Sequence, residues 1–223
     1  MPEVRDHCIR CGTCCLKGGP ALHAEDLQLV LQNRIQLEDL VTIRQGEPVL
    51  SPRDDHLEYL QTEIIKLKGQ ANDWACYFFD KQSSSCTIYQ HRPLECTLLK
   101  CWDTVNLERI INKNLVCRAD IIADDSPVLE YIATHEKSCS LVGLGSLLAS
   151  LPVVSSQDEV MAELTDMVQK DMASRAHALA SPDFPSSIEL FAFGRPLFKI
   201  LYNFGIRVRE SGGTLILQLN PEK

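Results

Sequence analysis

The chain has no apolar run long enough to cross a bilayer. Its longest, Leu141 to Val154, is broken by Gly143, Gly145, Ser146, Ser150 and Pro152, whereas a spanning helix needs about 20 apolar residues. Membrane insertion is therefore not expected. Positive charge is also in deficit, with 22 Lys and Arg against 30 Asp and Glu for a net charge of −8. That balance excludes the broad basic face through which proteins grip nucleic acid. There is no phosphate-cradling loop, no dinucleotide fingerprint and no nucleophile–base pair, so none of these motifs assigns an activity and whether the chain is an enzyme stays open. Internal repeats and low-complexity tracts are missing too. With 45% hydrophobic residues over 223 positions, the chain can bury a core and disorder is not expected. It opens MPEVRDHC, without a charged segment followed by an apolar one, and the expected location is cytoplasmic.

Cysteine is what the chain has in abundance. There are ten, four of them within eight residues as Cys8-x2-Cys11-x2-Cys14-Cys15, then Cys76, Cys86, Cys96, Cys101, Cys117 and Cys139, and none afterwards. In a reducing compartment such a cluster points to metal ligation before disulfides, and adjacent Cys14 and Cys15 cannot readily pair with each other. Cys8 to Cys14 has the C-x2-C-x2-C spacing of a bacterial ferredoxin loop. The fourth ferredoxin element is absent, because residue 18 is Gly18. The chain is thus not a ferredoxin, although the local spacing suits iron and sulfide. Structural zinc recruits paired C-x2-C knuckles, and the later cysteines, ten, ten and five residues apart, supply no second pair.

The rest of the chain is patterned as an α+β protein, mostly helical, with short β-hairpins around a cysteine-lined metal centre. Leu27, Val30, Leu31 and Ile35 recur at helical spacing, as do Leu37, Leu40 and Val41, and then Leu57, Leu60, Ile64 and Leu67. WACYFFDKQSSSCTIY predicts a hairpin pairing Ala75–Phe79 with Cys86–Tyr89. Ser126-Pro127 starts a helix. Ser156 with Glu159 and Ser186 with Glu189 form capping-box patterns. The first opens a helix with Val160, Leu164, Met167 and Val168 on one face, ending by Ser181-Pro182. The second opens SIELFAFGRPLFKILYNFG, which Pro196 kinks or divides. A last hairpin, IRVRES and TLILQL, turns at Gly212-Gly213. The cysteine distribution predicts a metal-binding domain over residues 1–145, with C-terminal helices and a hairpin over 146–223 packed on it.

Two separated motifs resemble a known family. The first is Cys8, Cys11, Cys14 and Cys15. The second is Cys76-Tyr77-Phe78, followed by Cys86-Thr87-Ile88-Tyr89, Arg92-Pro93 and Cys96. Together they resemble the YkgJ-like CxxCxxCC cysteine-cluster family, described as zinc- or iron-chelating. The resemblance covers about residues 8 to 145, with Cys139 before Gly143-Leu-Gly145 as a further family-like feature. After Cys96 this chain has TLLKCW where the family usually has an arginine and soon a proline. Cys101 and Cys117 also fall outside the pattern. Flagellin lysine N-methylase carries a similar cysteine domain, which implies a link to protein methylation. No glycine-rich strand–helix signal for an S-adenosylmethionine site accompanies it here, so that activity is not carried over.

The expected ligand set is Cys8, Cys11, Cys14, Cys15, Cys76, Cys86, Cys96 and Cys139, with Cys101 added and Cys117 a spectator. Arg92-Pro93 is expected to aim Cys96 and offset thiolate charge, with Arg10, Lys17 and Lys100 as further compensation. His7 and His91 neighbour ligands, and His135 lies one helical turn before Cys139. Trp74 and Trp102 flank cluster cysteines and can wall off solvent. Glu95 and Asp103 have no partner in sequence. The expected cofactor is an iron–sulfur cluster, with zinc as the alternative. Either the centre acts, in redox or in a modification reaction, or the metal is a staple or cargo. A protein partner or substrate is left open.

Overall fold

The computed structural model describes residues 6, 8–51, 56–70, 74–153, 155, 157–211 and 214–220. His7, the Ser156 cap and the Gly212-Gly213 turn therefore lie outside the described residues. The chain forms two compact units, residues 1–41 with 64–123, and residues 42–63 with 124–223. This differs from a single boundary near 145: the chain leaves the first unit, contributes a hairpin to the second, and returns. The reason is polar as well as apolar. Arg44 and Glu47, on the excursion, are buried and bonded to Glu136 at 2.8 Å and Arg195 at 2.5 Å, all within the second unit.

In chain order the elements are helices α1 (Thr13–Leu16) and α2 (Leu27–Leu31), then strand β1 (Leu40–Ile43). The excursion carries β2 (Pro48–Leu50) and β3 (Leu57–Tyr59), paired antiparallel from Pro48↔Tyr59 to Leu50↔Leu57. β4 (Ile64–Leu67) pairs with β1. Thus the spacing at Leu37 to Val41 and at Leu57 to Leu67 belongs to short strands and a 3-10 turn, not helices. Leu40 and Ile65 are fully buried, and strands this short mimic a helical period. The first unit continues with β5 (Phe79–Asp80) and β6 (Ser85–Cys86), paired at Phe79↔Cys86 and Asp80↔Ser85 and extended by the Thr87 N–H, which donates to the Phe78 carbonyl at 2.9 Å. That hairpin is shorter than the sequence predicts, because Ala75 and Cys76 bond elsewhere: the N–H of Gln70 donates to the Ala75 carbonyl, and that of Cys76 to the Cys15 carbonyl. α3 (Leu94–Leu98), α4 (Val105–Glu108) and α5 (Arg118–Ile121) complete the unit. Its core is Leu22, Ile35, Leu40, Ile65, Leu67, Phe79 and Val116.

The second unit holds α6 (Val128–Ser138), α7 (Leu144–Ser150), α8 (Gln157–Leu179), α9 (Glu189–Phe193) and α10 (Leu197–Tyr202). Pro127 caps α6 and Pro196 separates α9 from α10, as the sequence predicts. Val160, Leu164 and Val168 of α8 are buried with Leu197, Ile200 and Leu201 of α10. β7 (Ile206–Ser211) and β8 (Thr214–Leu219) close the chain, in register from Ile206↔Leu219 to Ser211↔Thr214. Ile206 and Leu217 join the same core. Among the described residues no helix is long and apolar enough to cross a membrane.

Gly46 illustrates how tightly the excursion is held. Its φ is +81°, and a Cβ there would overlap the Leu141 carbonyl. Gly46→Ala is expected to cost about 2 kcal/mol or more, from left-handed strain plus displaced backbone. A urea midpoint unchanged from the parent would contradict this.

Candidate metal centre

Eight cysteines, Cys8, Cys11, Cys14, Cys15, Cys76, Cys86, Cys96 and Cys101, line one cavity of about 610 Å3 in the first unit. Local structure explains how they reach it. Cys8 and Cys11 sit on a loop that turns through Arg10 (φ 54°) and Gly12 (φ 75°), after which α1 presents Cys14 and Cys15. Gly12 is needed here because its α-carbon lies against the Phe79 ring, where a Cβ would overlap Cζ. The loop is tied to the next cysteine by the Cys76 N–H, which donates to the Cys15 carbonyl at 2.7 Å. Cys86 ends β6 opposite Phe79.

Cys96 is placed by a polar lattice on α3. The Leu94 N–H donates to Asp26 Oδ1 at 2.8 Å, and the Ala21 N–H to Glu95 Oε2 at 3.0 Å. Glu95 Oε1 also lies 3.3 Å from His23 Nε2, whose ring is held at Nδ1 by the Lys113 carbonyl at 2.9 Å. Glu95, which has no evident partner in sequence, is therefore the strut that fixes α3 and its cysteine. Asp26 and His23 are equally unmarked in sequence, since the α3 groups they bond, the Leu94 N–H and Glu95, lie 68 and 72 residues away.

Arg92 stands with its guanidinium carbon 3.7 Å from the Tyr89 ring centre, and Arg10 stacks on the same ring at 4.3 Å. Both arginines and Tyr89 line the cavity. His91 is exposed on a 3-10 turn. Trp102 lines the cavity, whereas Trp74 is 64% exposed and lies outside its lining. Cys117 is outside the lining as well, its thiol donating to Asp120 Oδ2 at 3.0 Å. Cys139 belongs to the second unit, where it is buried.

The thiols have divergent proton affinities. Cys14 accepts a hydrogen bond from the Cys15 thiol at 4.0 Å, and that bond, helped by Arg92, lowers it to about 6 despite burial. Cys15 is raised because it keeps the shared proton and is desolvated. Burial, then the neighbouring thiols, raises Cys76 and Cys96, and burial raises Cys86 against the pull of Arg92. Metal-free, the cavity holds one ready thiolate among several protonated thiols. A cation must displace the remaining protons, so metal affinity should rise with pH and fall as acid reprotonates the ligands. Competition titrations at pH 6 and pH 8 are expected to show tighter binding at the higher pH, with net proton release at both. Equal affinity at the two values would contradict it.

Among the described residues, no three of these sulfurs lie within 4.8 Å of one another. Four thiolates on a single zinc, each about 2.3 Å from the ion, would be separated by less than about 4 Å. Thiolates of an iron–sulfur cluster bind different irons and need no such approach.

Comparison with known proteins adds one match: the sequence model of the CxxCxxCC family, “Putative zinc- or iron-chelating domain”, fits residues 7–118. No curated protein and no solved structure matches the chain.

Proposed function

The chain belongs to the CxxCxxCC family, and from that premise we propose that its thiol-lined cavity carries an iron–sulfur centre with a redox or modification-linked role. Cys8, Cys11, Cys14, Cys15, Cys76, Cys86 and Cys96 are its ligands in this reading, with Cys101 at the cavity wall. The observation that carries it is the number of cysteines lining one cavity, eight, which is twice what one zinc ion takes and suits a polynuclear centre. Bound there, such a centre would supply one-electron chemistry. The chain's own part is to surround it with sulfur and to place Arg10 and Arg92 where they offset thiolate charge. Cys8, Cys11 and Cys14 are exposed, which supports a centre that a protein partner or substrate can approach, rather than a sealed staple. A reducing, cytoplasmic setting fits ten cysteines that form no disulfide among the described residues.

Purification without oxygen, followed by iron and sulfide analysis, visible absorption and electron spin resonance, tests the reading. Brown protein with stoichiometric iron and sulfide is expected. Colourless protein with stoichiometric zinc, and neither iron nor sulfide, would replace it with the zinc-binding structural or metal-handling module.

A further inference from the structure

The C-terminal end of α6 gathers a different donor set. His135 and Cys139, one helical turn apart, face Asp171 of α8, and one ligand atom from each lies within 4.8 Å of the others. All three side chains are essentially sealed from solvent, at 0%, 2% and 0% exposure. We propose that His135, Cys139 and Asp171 form a second metal site, for a divalent cation of the zinc class, separate from the thiol-lined cavity.

Four observations carry this. The first is an orphan: His135 Nε2 meets Asp171 Oδ1 at 2.7 Å, but among the described residues buried Nδ1 has no hydrogen-bond partner. A buried ring nitrogen left unpaired keeps a lone pair free for a cation while Nε2–H stays on Asp171, the arrangement in which a carboxylate orients a metal-binding histidine. The second is chemistry, since imidazole nitrogen and thiolate sulfur are zinc-type donors, and the Asp171 carboxylate on the far ring nitrogen orients the imidazole and contributes charge. The third is charge. A Cys139 thiolate and the Asp171 carboxylate balance a divalent cation, while the nearby cations have carboxylates of their own: Arg175 has Glu189 at 3.0 Å and Arg44 has Glu136 at 2.8 Å. The carbonyl end of α6 also favours positive charge. The fourth is support. Arg175 Nε and the Leu197 N–H donate to the two Asp171 oxygens at 3.0 Å each, and an Arg44 guanidinium nitrogen holds the Cys139 carbonyl at 2.7 Å. Groups that orient ligands in this way are what metal sites require around them.

Access comes from a cavity of about 390 Å3 bordered by α6 and α8, with Thr134, Ser174 and His177 in its wall. The Ser174 hydroxyl lies 4.0 Å from Cys139 Sγ and 3.2 Å from the Ser138 hydroxyl. Ser174 thus stands between the cavity and the sulfur, placed to pass the ion or to complete its coordination. Binding exchanges the cation for the Cys139 thiol proton, and the imidazole stays neutral.

Cobalt(II) is the probe, because a thiolate bound to it gives a charge-transfer band. Full-length protein with Cys8, Cys11, Cys14 and Cys15 all replaced by serine, stripped with chelator, is titrated with cobalt. One equivalent is expected to bind with a single-thiolate band. Adding Cys139→Ser should abolish the band and weaken binding at least about tenfold. A band that survives Cys139→Ser, or no thiolate band in the folded four-serine protein, overturns the proposal. Should the four-serine protein not fold, metal counts on parent and Cys139→Ser protein decide. Loss of one divalent ion with iron and sulfide unchanged supports the site, and an unchanged count refutes it. Loss of iron from Cys11→Ser protein bears on the thiol-lined cavity alone, so the two readings fail separately.

Discussion

Replacing Cys96 with serine is expected to empty the thiol-lined cavity of metal and lower the melting temperature by more than any surface substitution. Cys96 is placed on α3 by the Asp26–Leu94 and Glu95–Ala21 hydrogen bonds, so its sulfur arrives preorganised rather than on a mobile loop. Folding free energy and metal-binding free energy are linked: for structural zinc in zinc-finger peptides, the measured reference for a thiolate site, the apparent binding energy is about 10–16 kcal/mol at neutral pH. Losing one ligand forfeits several kcal/mol of that, against a total stability of about 5–15 kcal/mol for a domain. Cys117→Ser is the matched control. Its thiol bonds to Asp120 at 3.0 Å, and its replacement should leave metal content unchanged. Metal per chain and thermal unfolding, with and without chelator, read both outcomes. A Cys96→Ser protein retaining the parent's metal and melting temperature would remove Cys96 from the ligand set.

The second large effect is expected at Asp171. This fully buried carboxylate receives His135 Nε2, Arg175 Nε and the Leu197 N–H. Burial alone would raise its pKa, but His135, Arg175 and the Leu197 N–H outweigh that, and it is held low and ionised. Asp171→Asn removes the charge and turns one acceptor oxygen into a donor facing another donor. Breaking one partner out of a buried ionic network costs about 3–5 kcal/mol. Lys170, one residue earlier, pairs with Asp166 at 2.6 Å on the exposed face, with both side chains more than half accessible. Lys170→Ala should therefore shift stability by no more than about 0.5 kcal/mol. Urea unfolding of the two variants side by side measures the contrast. Similar midpoints would mean that the buried network does not stabilise the second unit.

What the sequence determined by itself was local or strongly patterned. The four clustered cysteines and the Cys76–Cys96 motif identify a metal-chelating family before any coordinates. Pro127 and Pro196 mark helix boundaries because proline fixes φ and lacks an N–H, and α8 is legible because Val160, Leu164 and Val168 repeat over a long helix. The tertiary structure decided whatever depends on partners distant in sequence. Leu57 to Leu67 became two strands because the partners of β3 and β4 lie on β2 and β1, and an apolar run of that length carries no unambiguous period. Glu95 became a strut only when His23, 72 residues away, came within reach. Cys139, in sequence one more cysteine after the cluster, acquired its company from the packing of α6 on α8, which brings Asp171 to His135 across 36 residues. Spacing along a chain reports which side chains share a helical turn or a loop, whereas burial and convergence across tens of residues are properties of packing.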